Sequence, residues 1–419
     1  MSAPRPTPPP RPTPPLRPTP PLGPTPPLGP TRPAVRPWVV LVGLLALAAN
    51  LRAALAGYPP LLETVRAELG TSAGVAGLVQ AGAVLMMAAG SFAGPAVGAR
   101  FGREPALGGA VGLVAVGSLV RGFPALLPLI GGSLVTGFGI GLAGVLLSGV
   151  VKEHLADRAG AATGGYVVLM MAGATVSSAV AVPLAVALGG WSFSLAVWAV
   201  PAVLAVALWT PIARRVPTAA AGTAALPWRD PFARLTACYQ AGTSVMFYGW
   251  LTWLSPYYEG RGWSPASAGL LLAVWSVTQI PAALLVPALA ERRRRWRFWS
   301  ALTLGCGLAG TLGAMLLPEP PGGPWVWAVL LGIGVGAGFP LGLTVIAWRT
   351  PDPAASAATS GLALGVGYTA AGLVPLLMGV LIDLTGGFPA ALAVLLLAGA
   401  LQAFAIVKIG DRPARTPTA

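Results

Sequence analysis

Long apolar stretches recur along the chain from residue 37 onward, each separated from the next by a short cluster of Pro, Gly or Arg. Twelve can be marked out: 37–57, 73–97, 106–122, 125–150, 160–187, 191–213, 234–254, 265–289, 298–317, 325–348, 356–382 and 387–407. Crossing a hydrocarbon core of ~30 Å takes ~20 helical residues at ~1.5 Å each, so every stretch predicts one membrane-spanning helix. A helix is needed because lipid offers no partner to a backbone N–H or C=O. Trp38, Trp191 and Trp325 stand at stretch ends, where an indole suits the membrane–water boundary.

The first stretch is interrupted by Asn50-Leu51-Arg52. If Trp38 marks one interface, Arg52 lies ~21 Å deep. A guanidinium at that depth costs ~2.5–3.5 kcal/mol on insertion scales unless it meets water, a counter-ion or a ligand. No other charge falls so far inside an apolar stretch. Ala48, Ala49, Ala53 and Ala56 are small and leave an open notch beside Asn50. Two roles stand open for Arg52. It can present a bidentate fork to a small anion, or it can reach outward to Glu63 or Glu68.

Composition agrees with a membrane protein: 55% hydrophobic, 9% charged, mean hydropathy +0.75, against about 25% charge in a soluble domain. Residues 1–36 differ. A six-residue repeat beginning at Arg5-Pro-Thr-Pro-Pro-Pro predicts a disordered, solvated polyproline tail. Cys238 and Cys306 lie in apolar stretches without metal-ligand spacing, so no disulfide framework, metal or other cofactor is expected. The formal net charge of +14 invites a nucleic-acid reading. Its distribution excludes that partner. With the N-terminus inside, all of the 26 lysines and arginines except Arg52, Arg66, Arg121 and Arg261 fall in the tails or in loops on that same side. This is the positive-inside asymmetry. Both termini are expected in the cytoplasm and the chain in the plasma (inner) membrane.

The chain also repeats itself at a lag of 192. Ser72, Ala76, Gly77, Leu78, Ala81, Pro95, Ala96, Arg100 and Arg103 are matched by Ser264, Ala268, Gly269, Leu270, Ala273, Pro287, Ala288, Arg292 and Arg295. The second stretch therefore corresponds to the eighth, and six spans to six spans. The expected organisation is a cytoplasmic tail (1–36), a six-helix bundle (37–213), a cytoplasmic linker (214–233), a second six-helix bundle (234–408) and a short tail (409–419). Paired bundles with a site between them suit a transporter.

Between the second and third stretches stands Gly94-Pro-Ala-Val-Gly-Ala-Arg100-Phe-Gly102-Arg103, echoed by Pro287-Ala-Leu-Ala-Glu291-Arg292-Arg293-Arg294-Arg295. The first resembles the cytoplasmic signature of the major facilitator superfamily. Ala99 replaces its usual acid, whereas Glu291 keeps one in the second half. The resemblance implies that Arg100, Gly102, Arg103, Glu291, Arg292 and Arg295 lock the inward gate. Asn50-Leu51-Arg52, Phe247-Tyr248 with Ser255-Pro256, Gly338-Phe339-Pro340-Leu341, Trp348-Arg349-Thr350-Pro351-Asp352, Ser360-Gly361, Gly367-Tyr368, and Pro375 with Gly379 and Asp383 resemble the cyanate and nitroimidazole transporter branch of that superfamily. The likeness runs from about 37 to 408. Val335 and Leu364 depart from it, standing where the branch often has glutamine. What it implies is an all-α fold of twelve transmembrane helices in two pseudo-symmetric bundles, working as a monomer on a small-molecule substrate within the lipid bilayer.

Polar side chains inside the spans are few. Gln240, Ser244 and Tyr248 follow at i, i+4, i+8 and so share one helical face; Trp275 and Gln279 are again i, i+4. Gln80, Tyr166 and Tyr368 each stand in a different span. With Arg52 and Asn50, the residues Gln80, Tyr166, Gln240, Tyr248, Trp275, Gln279 and Tyr368 form the candidate substrate site, although an interhelical hydrogen bond is the alternative for each. Met86, Met87, Met170 and Met171 are expected in packing. One guanidinium matches one negative charge, so the expected substrate is a small monovalent anion such as cyanate or nitrite, moved by alternating access. A nitro-aromatic held by Arg52 with Trp253 or Trp275 on its ring, or a multidrug exporter, is the alternative within transporters. A membrane sensor without flux is the alternative from another class. No carboxylate lies within a span core, and His154 is expected in a solvated loop. Facilitated transport, exchange, or a proton carried by the substrate is therefore expected rather than a carboxylate relay. Neither lysine completes a phosphate-binding Gly-x-x-x-x-Gly-Lys-Ser/Thr loop, and no catalytic constellation falls in the spans, so no enzyme is expected.

Overall fold

A computed structural model describes residues 37–71, 73–215, 225–319 and 322–410. The proline-rich stretch, residues 216–224 of the linker and residues 411–419 lie outside these, as do the side chains of Glu63 and Asp383. The described chain is helical: α1 Pro37–Ala56, α2 Leu62–Leu69, α3 Ala73–Phe101, α4 Arg103–Val120, α5 Leu126–His154, α6 Ala159–Leu188, α7 Trp191–Ala196, α8 Ala199–Arg215, α9 Pro231–Glu259, α10 Pro265–Arg293, α11 Trp296–Leu316, α12 Gly323–Arg349, α13 Pro353–Thr385 and α14 Pro389–Ile409. Every predicted span carries a helix. The sixth is broken into α7 and α8, and the short α2 is an addition.

Eleven segments among the described residues are long and apolar enough to cross a membrane. The twelfth helix of that set, α9, is 29 residues long but carries Gln240, Thr243, Ser244, Tyr248 and Thr252, which dilute its apolar character. Three of these, Thr243, Ser244 and Tyr248, turn out to line the site.

Local chemistry explains several helix limits. Asp230, Ser264 and Asp352 cap α9, α10 and α13 through Phe232 N, Ser267 N and Ala355 N, each with proline next in sequence. Gly70, Gly189, Gly386 and Gly410 end helices at positive φ. The internal repeat holds in three dimensions: α3 and α10 begin and end 192 residues apart. The turn after each needs a left-handed residue. Gly102 supplies it in the first half (φ 84°), and Arg294 in the second (φ 53°).

Helices α1, α3–α6 and α8 pack with one another, as do α9–α14. The two groups meet along α3–α13, α5–α13, α6–α10 and α6–α12. Small residues set the spacing within a bundle. A methyl group on Gly137 or Gly141 of α5 would overlap the Ala83 or Met87 carbonyl of α3.

The apolar clusters show where the bundles touch. One cluster joins Leu146 and Val150 of α5 to Ile346, Ala347, Ala357 and Leu364 of the second bundle, toward the end that carries the arginine-rich loops. At the other end, among the described residues, each bundle keeps its own cluster. One is built on Tyr58, Leu129 and Trp191, the other on Trp250, Tyr257 and Leu395. The bundles are thus closed at the arginine-rich end and part toward the opposite one.

Candidate substrate site and gate

Arg52 projects from α1 into a cavity between the bundles. Its guanidinium lies over the Phe247 ring, 5.1 Å from the ring centre. The Tyr368 hydroxyl of α13 is a second neighbour of the guanidinium. Both partners belong to the opposite bundle. The cavity together with the open space at its mouth amounts to about 440 Å³. Its polar wall is Arg52, Thr243, Ser244, Tyr248 and Tyr368; its apolar wall is Val167, Met170 and Met171 of α6, Phe247 of α9, and Val335 and Phe339 of α12.

No ion pair to Arg52 occurs among the described side chains. Glu68, one of the two acids expected as an outward partner, instead accepts the Trp191 indole N–H at 2.9 Å. Glu63, the other, lies outside the described side chains.

Of the expected site residues, Arg52, Tyr248 and Tyr368 line this cavity. The others do not. Asn50 donates back to the Ala46 carbonyl of its own helix at 2.8 Å. Gln279 likewise donates to Trp275 O at 3.2 Å. Trp275 stands behind Phe247, ring centres 5.3 Å apart, with its indole N–H unpartnered. Trp253 donates to Pro375 O at 3.1 Å, away from the cavity. Gln80 is half-buried on α3 and outside the lining. Gln240 shares a helical face with Ser244 and Tyr248 but is buried against Gly342 and Gly367, with both amide atoms unpartnered. Tyr166 is buried near Tyr368, and its hydroxyl also has no hydrogen-bond partner. Conversely, Met170 and Met171, expected in packing, belong to the wall.

The arginine-rich end is fastened by charged groups acting on helix ends. Glu291 of α10 accepts from Gly160 N at 2.9 Å and Ala161 N at 3.3 Å, the first turn of α6 in the opposite bundle. That turn has no side-chain cap of its own. An anion there satisfies free N–H groups and the positive end of the helix dipole. Lys152 of α5 donates to Ala347 O at 2.6 Å, near the C-terminal end of α12. This is the complementary pairing, a cation at a negative helix end, and it again crosses between bundles. Arg103 pairs with Glu153 within the first bundle. Arg100 lies over the Phe101 ring, while Arg292 and Arg295 are exposed. Ala99 offers no acid, so the first bundle's share of the fastening falls to Lys152.

Two charged features escape a reading by stretches. His154, expected in a solvated loop, is the last residue of α5, its Nε2 3.0 Å from the buried Glu104 carboxylate. Arg121, at the end of α4, is fully buried and donates to the Ala54 carbonyl of α1 at 2.5 Å. Both sit at the edges of apolar stretches, where position in sequence does not reveal what neighbouring helices cover.

Known proteins resemble the chain as follows. Residues 40–347 match the sequence model of the Major Facilitator Superfamily. A 2-nitroimidazole transporter of Escherichia coli K12 is 32% identical over 84% of this chain and 90% of its own length. A cyanate transport protein of the same organism is 30% identical over 84% and 90%. Among solved structures, the proton:xylose symporter XylE is 14% identical and superposes with a TM-score of 0.70 over 89% of this chain and 95% of its own.

Proposed function

The chain belongs to the major facilitator superfamily of membrane transporters, and from that premise we propose that it carries a small monovalent anion across the plasma membrane, with Arg52 as the anion's ligand. The observation that carries this reading is a guanidinium in a cavity between the bundles, touched by a ring and a hydroxyl from the opposite bundle, with no described acid paired to it. Nitrite can accept the two N–H bonds of the fork through its two oxygens and linear cyanate can accept them at one end, and either anion leaves the pair neutral. The Tyr248 and Tyr368 hydroxyls offer further donors. Gln240 and Tyr166, buried with spare hydrogen-bonding capacity, are reserve groups for another stage of the cycle.

The rocking bodies are residues 37–213 and 234–408, joined through the linker 214–233, with both termini in the cytoplasm. On that orientation Glu291 and Lys152 hold the cytoplasmic gate shut, and the described state faces outward. Trp275, packed on Phe247, supports the site from behind. A nitro-aromatic is the second reading, favoured by the Phe247, Tyr248 and Phe339 rings around the guanidinium. The cyanate and nitroimidazole activities named for the two relatives agree with these two readings.

The test is uptake of labelled cyanate, nitrite and 2-nitroimidazole into proteoliposomes. Saturable uptake of an anion that Arg52→Gln abolishes is expected. Transport unchanged in that variant would remove Arg52 from the site; uptake of the nitroimidazole alone would select the second reading.

A further inference from the structure

Resting on the anion reading above, we infer that this carrier is an exchanger: it closes over its site only with an anion on Arg52, so each anion moved one way is matched by one moved back. The inference follows from what surrounds Arg52. Its neighbours are the Phe247 ring and the Tyr368 hydroxyl, and neither supplies a negative charge. The acids that the structure describes with partners are engaged elsewhere. Glu68 holds the Trp191 indole, Glu104 faces His154, Glu153 pairs with Arg103, and Glu291 caps α6.

A carrier built around a carboxylate can neutralise its empty site by taking up a proton. A guanidinium cannot lose its own at any physiological pH. While the cavity stands open, water solvates Arg52. Closing the empty cavity strips that water and strands a cation in low dielectric, a penalty that would suppress empty return about a hundredfold. A monovalent anion cancels the charge and lets the cavity close. Loaded crossings are then neutral, and exchange of two such anions moves no net charge.

The test uses full-length protein in proteoliposomes under chloride-free gluconate, a polyol anion whose many hydroxyls find no match in the apolar wall of Val167, Met170, Met171, Val335 and Phe339. Interiors contain cyanate, nitrite, chloride or gluconate alone, with radiolabelled cyanate outside. The expected result is uptake at least about tenfold faster into interiors holding cyanate or nitrite than into gluconate alone. The initial rate is expected not to respond to a potential imposed with valinomycin. Arg52→Lys, which keeps the charge and loses the fork, retains this dependence on internal anion at weaker affinity. Equal uptake into gluconate-only vesicles, or a rate that follows the imposed potential, overturns the inference and leaves Arg52 as an anion ligand. No uptake into any interior also overturns it. Equilibrium binding of cyanate to the solubilised protein then decides whether the anion reading falls with it.

Discussion

Replacing Glu291 by glutamine perturbs the contact between α10 and α6 at the arginine-rich end. The carboxylate of α10 accepts two backbone N–H groups of α6, at 2.9 and 3.3 Å, across the boundary between the bundles. Hydrogen bonds to a charged group contribute about 1.5–3 kcal/mol, and a glutamine carbonyl keeps one neutral acceptor in place. The charge and its interaction with the helix dipole are lost, roughly 1–2 kcal/mol in all. That loss bears on the state closed at the arginine-rich end and not on the state open there, so the equilibrium shifts by a factor of about 5–30. Ala357 of α13 reports it, being buried beneath this end at 5% exposure. With Cys238 and Cys306 changed to serine, a single Ala357→Cys is labelled by a maleimide at a rate set by opening. Adding Glu291→Gln should raise that rate by about 5–30-fold. A rate within about twofold of the parent would show that this contact does not hold the gate, and the orientation argument built on it would fail.

Lys152→Met keeps an apolar stem and removes the donor to Ala347 O, so Ala357→Cys labelling should also rise; no rise would assign the closure to Glu291 alone. Arg294, the non-glycine residue at positive φ among those described, pays a left-handed penalty of about 1 kcal/mol, partly offset by its contact with the Trp348 ring. Arg294→Gly should therefore leave the melting temperature in detergent unchanged or a few degrees higher, and a clear fall would mean that the ring contact dominates. Gly141→Ala pushes a methyl into the Met87 carbonyl and should abolish a monodisperse peak in size-exclusion chromatography, whereas Gly109→Ala, with open space around it, should not.

Much of the architecture is legible in the sequence. Lipid leaves a spanning chain no alternative to helix, so apolar runs translate directly into elements, and pairs such as Asp230-Pro231 and Asp352-Pro353 mark their starts. The lag of 192 survives as the paired limits of α3 and α10. Arg52 was readable because depth in a run is a physical cost that asks for a reason. The remainder of the site was not. Its wall comes from α1, α6, α9, α12 and α13, and helices apolar on nearly every face give no period that says which side meets a neighbour. Gln240 shows the difficulty: it is in register with Ser244 and Tyr248, yet Gly342 and Gly367 close over it. Asn50, adjacent in sequence to the site, spends its donor on its own helix. The break between α7 and α8 at Val197-Trp198 had a signal that a reading by apolar stretches passes over: Pro201 lacks the N–H that would bond the Val197 carbonyl, which Val200 N takes instead.

The central claim is that Arg52 binds the transported anion, and calorimetric titration of purified protein with cyanate and nitrite tests it without the complications of flux. The account predicts saturable binding to the wild type, weaker binding to Arg52→Lys, and a loss of about ten- to hundredfold or more in Arg52→Gln, the value of one charge-assisted hydrogen bond. An Arg52→Gln protein that stays folded and binds either anion as tightly as the wild type would contradict it.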